Sequence, residues 1–137
     1  MNEVETILGY AFSNKTLLDE ALTHPSCNAK KEGAPYHYQR LEFLGDSILG
    51  AVVSDMLYRQ YPDEAEGKLA RRKSVLVASK AVAKLVSGLS LHQHIIFSPA
   101  EAAAGGADNS SVQEDVGEAL IGALYTDGGF TVAQQFI

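Results

Sequence analysis

The chain has 137 residues, 46% hydrophobic and 20% charged, the composition of one globular domain with enough apolar material for a core. Its apolar runs fall far short of a membrane span, its first residues are acidic where a signal peptide is basic, and its single cysteine, Cys27, excludes a disulfide framework and a thiolate zinc site, so a reducing, cytoplasmic setting with no membrane is the expectation. A net charge of −6 argues against strong generic attraction to nucleic acid.

Val4, Ile7 and Leu8 predict a short first helix closed near Gly9. Ser13 or Asn14 is placed to cap a second helix carrying Leu17, Leu18, Ala21 and Leu22, and Pro25 breaks it. Residues 28–35 are polar and read as a mobile loop. The longest helical pattern runs from Tyr38 to Tyr61, with Leu41, Leu44, Ile48, Val52 and Met56 as its expected buried stripe and Pro62 as its stop. Two more helices follow, Gly67 to Val77 and Ser79 to Leu89, with Leu69, Val75, Leu76, Val82, Leu85 and Val86 among their apolar positions. Residues 91–97 read as a loop or brief helical turn, and 100–107 are Ala/Gly-rich and poorly specified. Asn109 or Ser110 caps a helix through Leu120, Leu124 and Tyr125, which Gly128 and Gly129 end, and a last helix begins at Thr131. No repeat and no convincing strand emerges; the expected fold class is all-α.

Inside the long helix, Glu42 and Asp46 are four apart, so they share one face a single turn apart, surrounded by Leu41, Phe43, Leu44, Ile48 and Leu49. Their like charges repel, and no Lys or Arg stands three or four positions from either. Asp115 and Glu118 repeat the arrangement on the Asn109 helix, three apart. Should the two helices pack side by side, four carboxylates converge, and a hard divalent cation such as Mg²⁺ or Mn²⁺ is the economical neutraliser. One or two such ions suit phosphodiester hydrolysis. Acids at these spacings are also common on solvated helix faces, so spacing alone is a weak signal.

The segment from Gln39 to Leu49 (Gln-Arg-Leu-Glu-Phe-Leu-Gly-Asp-Ser-Ile-Leu) resembles the signature of the ribonuclease III family. The resemblance continues through Ala21 to Ser26, through Glu66, Gly67, Leu69, Arg71 and Leu76, through Glu114 to Gly122, and through Asp127 to Phe130, so it covers nearly the whole chain. It implies an all-α ribonuclease III endonuclease domain over residues 1–137. The implied activity is cleavage of double-stranded RNA to 5′-phosphate and 3′-hydroxyl ends with short 3′ overhangs, with roles in rRNA and mRNA processing. The family's four acids fall on Glu42, Asp46, Asp115 and Glu118. All four are the implied catalytic and metal-site residues: Glu42, Asp115 and Glu118 are the favoured ligands of Mg²⁺, with Mn²⁺ as a substitute, and Asp46 is essential and acts through metal-bound water. The resemblance also implies a homodimer joined through the signature helix, with Phe43 inserted into the partner, although a helical Phe is ordinarily core.

Several positions depart from the family pattern. Gln39 stands at an accessory position that usually carries Glu. The 103–109 loop lacks the Lys and Arg that relatives often place there, and Gly117 replaces a larger residue, which should weaken its helix by about 0.5–1 kcal/mol. Within the basic run Lys68, Arg71, Arg72 and Lys73, Arg71 and Arg72 are candidate phosphate contacts, against the commoner alternative of a solvated helix face. His24 reads as a capping or packing residue. The C-terminal double-stranded-RNA-binding domain usual in bacterial members is not in this sequence. Two other functions compete. One is a non-catalytic RNA- or ribosome-associated module on the same fold, favoured by Gln39, Gly117 and the neutral loop. The other, a helical di-iron oxidase, requires a Glu with a His three residues later, and no Glu here has one.

Overall fold

The computed structural model describes the backbone of residues 1–137 and every side chain except that of Ser79. The chain is all-α apart from one minimal hairpin. Its helices are α1 (Glu3–Leu8), α2 (Lys15–Leu22), α3 (Gln39–Gln60), α4 (Glu66–Leu76), α5 (Ser79–Gly88), α6 (Pro99–Ala103), α7 (Ser110–Gly128) and α8 (Phe130–Phe136). α7 is the hub: α2, α3, α5 and α8 all pack on it, and Val112, Val116, Ala119, Leu120, Ile121, Ala123 and Leu124 are buried. A helix this apolar all round survives only inside other helices.

Local chemistry fixes the helix ends. The Asn109 side chain accepts from the Ser111 and Val112 amides and opens α7. At its far end, Asp127 accepts from the Tyr10 hydroxyl (2.6 Å) and from the Ser13 and Asn14 amides, which anchors the start of α2. Asn14, not Ser13, caps α2. Glu5 closes the α1 capping box and accepts from the Phe12 amide and the Lys15 ammonium.

α3 and α7 approach each other closely at two glycines. A Cβ on Gly45 would overlap the Glu118 carbonyl, and one on Gly122 would overlap the Leu41 carbonyl. The two helices therefore cross with their backbones in contact, which only glycine on both sides allows. Gly117 answers to packing as well: a Cβ there would lie 2.5 Å from Val82 Cγ1 and 3.0 Å from Val86 Cγ2 on α5. The propensity lost at Gly117 is the condition for α5 to seat on α7.

The structure corrects four expectations. Residues 28–35 are not an unstructured loop: β1 (Lys30–Lys31) pairs antiparallel with β2 (Ala34–Pro35), turned by Glu32 and Gly33 at φ 54° and 81°. Pro99–Ala103 forms α6, whose signal was Ser98 capping the Glu101 amide with Pro99 next to it. The buried stripe of α3 is Leu41, Gly45, Leu49, Val52, Val53 and Leu57, whereas Met56 is exposed and Leu44 and Ile48 are half-buried. Finally, α4 buries no residue, and Val75 and Leu76 face solvent.

If the crossing depends on these glycines, Gly45→Ala and Gly122→Ala should each destabilise the fold by about 2 kcal/mol or more in denaturant titrations, because overpacking outweighs the gain in helix propensity. Gly67→Ala, with nothing within 4 Å of its new Cβ, should be neutral or stabilising by up to about 1 kcal/mol.

Candidate active site

The α3–α7 crossing decides where the acids go. Glu42 and Asp46 bracket Gly45 on α3, and Asp115 and Glu118 lie on the two turns of α7 that precede Gly122. Backbone contact at the glycines brings all four carboxylates to one open basin of about 590 Å³, lined also by Gln39, Phe43, Ser47 and Glu114. The convergence expected of Glu42, Asp46, Asp115 and Glu118 is thus present.

Their exposures differ. Glu118 is only 7% exposed, Glu42 and Asp115 are half-buried, and Asp46 stands at the solvent rim. Burial, then the charges of Asp46, Glu114, Glu42 and Asp115, pushes the Glu118 carboxyl up to about 8. Burial, then a hydrogen bond and charge repulsion from Asp115, pushes Glu42 up to about 7. Among the described residues none of the four is ion-paired to a Lys, Arg or His. Asp115 Oδ2 accepts a long 3.5 Å hydrogen bond from the buried Tyr38 hydroxyl, whose own ionisation is pushed up by burial and by Asp115 and Glu42. Tyr38 packs edge-on against His24, and the Ser26 amide donates to His24 Nδ1 (3.0 Å), so His24 caps and packs as expected.

The donor set is carboxyl oxygen throughout, which fits a hard divalent cation of the Mg²⁺ or Mn²⁺ type. Among the described residues no three His, Cys, Asp or Glu side chains close on one point as a finished ligand set does. Glu42 and Asp115 are close enough to share a hydrogen bond, and Asp46 and Glu118 bear on the same basin through their charge.

Of the remaining predicted residues, Gln39 lines the basin. Phe43 projects from its rim 81% exposed and also borders a second cavity of about 680 Å³ with Arg40, Leu41 and Leu44. Arg71 is exposed. The Arg72 guanidinium is committed elsewhere: it pairs with both Glu64 oxygens (2.6 and 2.9 Å) and stacks 3.8 Å over the Tyr61 ring. Sequence reasoning missed Glu114 as a fifth carboxylate in the basin, although it stands four residues before Glu118 and so shares its face.

A family model described as Ribonuclease-III-like matches residues 14–137. The chain is 44% identical to Ribonuclease 3 of Ehrlichia chaffeensis (strain ATCC CRL-10679 / Arkansas) over 100% of its own length and 60% of that protein. With Ribonuclease 3 of Ehrlichia canis (strain Jake) it shares 47% identity over 98% of its length, again 60% of the relative. It therefore spans about three-fifths of the curated relatives it matches. Among solved structures, the nuclease domain of ribonuclease III from Campylobacter jejuni superposes with a TM-score of 0.88 at 40% identity, covering 97% of this chain and 90% of that one. That structure is described for flexibility in a region involved in dimer formation. Dicer from Pichia stipitis superposes at 0.62 with 27% identity, over 86% of this chain and 48% of that one.

The raised carboxyls of Glu42 and Glu118 mean that the folded chain binds more protons than the unfolded chain between about pH 4.5 and 8, so this site should lower stability as pH rises through that window. Glu5 acts oppositely, being held down to about 2 chiefly by the Lys15 hydrogen bond, and its contribution is lost only as pH falls from about 4.5 toward 2. In chelator, the unfolding temperature should fall from pH 5.5 to 8.5. Glu118→Gln should flatten that fall and stabilise the chain at pH 8.5 by about 1 kcal/mol or more, one pKa unit being worth about 1.4 kcal/mol.

Proposed function

The chain belongs to the ribonuclease III family, and on that premise we propose that it is a divalent-metal-dependent endonuclease domain that hydrolyses phosphodiester bonds of double-stranded RNA. The observation that carries the reading is the gathering of Glu42, Asp46, Asp115 and Glu118 in one basin, two carboxyls pushed up with no cationic side chain paired to them among the described residues. Such a site is unfavourable for folding and favourable for holding a dication beside a phosphodiester.

In this reading Glu42, Asp115 and Glu118 hold Mg²⁺, or Mn²⁺ in its place. A cation bound there supplies Lewis acidity toward the phosphate and acidifies a nearby water. Asp46, exposed at the rim, acts through water held at the cation. Gln39 offers an amide at the same rim, where it can accept or donate a hydrogen bond without adding charge. Buried Glu118 keeps its carboxylate fixed and poorly hydrated, so its interaction with a cation is strong. The products carry 5′-phosphate and 3′-hydroxyl ends with short 3′ overhangs, and the reading assigns the protein to rRNA and mRNA processing in the cytoplasm. No helix among the described residues is long and apolar enough to cross a membrane.

The reading includes a homodimer joined through α3. Phe43 supports it: its ring is 81% exposed and borders, with Leu41 and Leu44, an open apolar depression that a second copy would cover.

Pure protein with a long RNA duplex and Mg²⁺ should yield short duplexes. Asp46→Asn or Glu118→Gln should reduce the cleavage rate by about 100-fold or more, beyond the loss typical of outer-shell partners. Duplex binding without cleavage at saturating Mn²⁺ would instead mark a non-catalytic module. Phe43→Ala should shift sedimentation from dimer toward monomer with little loss of helicity, and an unchanged dimer would remove Phe43 from the interface.

A further inference from the structure

Beside the acidic basin lies a second depression of about 460 Å³, lined by Asp46, Ser47, Gly50, Ala51, Ser54, Lys73 and Val77. Asp46 and Ser47 line both, so the two are continuous across one turn of α3. Asp46, Gly50 and Ser54 follow at intervals of four along one face of that helix. Lys73, in the last turn of α4, reaches across to this face: its Nζ is 3.6 Å and its Cε 3.7 Å from where a Gly50 Cβ would stand. The missing side chain at Gly50 is the bed in which the lysine lies.

Lys73 differs from its neighbours in the basic run. Arg72 is held by Glu64 and Tyr61, and among the described residues Lys73 forms no ion pair, with Asp46 or any other acid. Its ammonium and the Ser47 and Ser54 hydroxyls supply donors to one depression whose edge is the catalytic rim. From Asp46 to Gly50 is one helical turn, about 6 Å, comparable with the step from one phosphate to the next along a nucleic-acid strand. Resting on the nuclease reading above, we infer that Lys73, with Ser47 and Ser54, is a phosphate-binding subsite for the nucleotide adjacent to the one cut at the four acids. A point-charge donor suits that role, since a phosphate passing along the groove needs charge without a fixed fork geometry.

The test measures binding of a short RNA duplex to Glu118→Gln protein, in which turnover is suppressed, at fixed Mg²⁺ and between about 50 and 200 mM KCl. Adding Lys73→Ala should weaken binding severalfold and reduce the slope of log affinity against log salt by about 1, one phosphate contact's worth. Lys73→Arg should restore the slope. In the otherwise wild-type chain, Lys73→Ala should leave the Mn²⁺-induced rise in unfolding temperature unchanged, which separates a strand contact from a structural or metal-site role. An unchanged salt slope in Lys73→Ala would overturn the inference alone. A parent chain that neither binds nor cuts duplex RNA would overturn the nuclease reading and this inference with it.

Discussion

The placement of the four acids follows from two helices being allowed to touch at their backbones. Gly45 on α3 and Gly122 on α7 leave no room for a Cβ on either side, and the acids are placed relative to those glycines. A wider separation would move Glu42 and Asp46 away from Asp115 and Glu118 and dissolve the basin into two solvated helix faces. The same device appears again on α7, where Gly117 lets Val82 and Val86 of α5 come close and Gly128 does so for Tyr10 and Val132. Small residues thus act here as geometric instruments, and the helix propensity they forgo is recovered in packing against a nearly fully buried α7.

The acids impose the opposite tension. Carboxyls of Glu42 and Glu118 forced above the ordinary range record an electrostatic cost that the apolar core must carry. The core that carries it is continuous, running from Leu18 and Ala21 through Leu49 and Val53 to Val116, Leu120 and Leu124. Sites that work against the fold in this way are where function is concentrated, because the strain is relieved by what binds there. The balance also explains the chain's acidity. Part of its negative charge is gathered at one place, where a bound dication would turn it into attraction for phosphate.

Much of this was legible in the sequence. Helix positions followed from apolar periodicity and from caps such as Asn14, Asn109 and Gly9. Both acidic pairs stood out by spacing, and the family resemblance joined them into one site. What stayed hidden depended on tertiary contact. Met56, Val75 and Leu76 are apolar at helical spacing yet exposed, because no element packs over that side of α3 and α4. Arg72 reads as a free cation until Glu64, eight residues back, is brought to it by the turn between α3 and α4. Gly117 reads as a defect until α5 is seen against it. Glu114 and Lys73 each carried a visible mark, one a shared helix face and the other membership of a basic run, but only the basin and its neighbouring depression distinguish them from surface charge.

If the α3–α7 crossing assembles carboxylates that hold a divalent cation, crystals soaked in Mn²⁺ should show an anomalous scattering peak in the basin, bounded by Glu42, Asp115 and Glu118, with Asp46 beside it. Strong peaks elsewhere with none between those carboxylates, at a Mn²⁺ concentration that supports RNA cleavage, would contradict it.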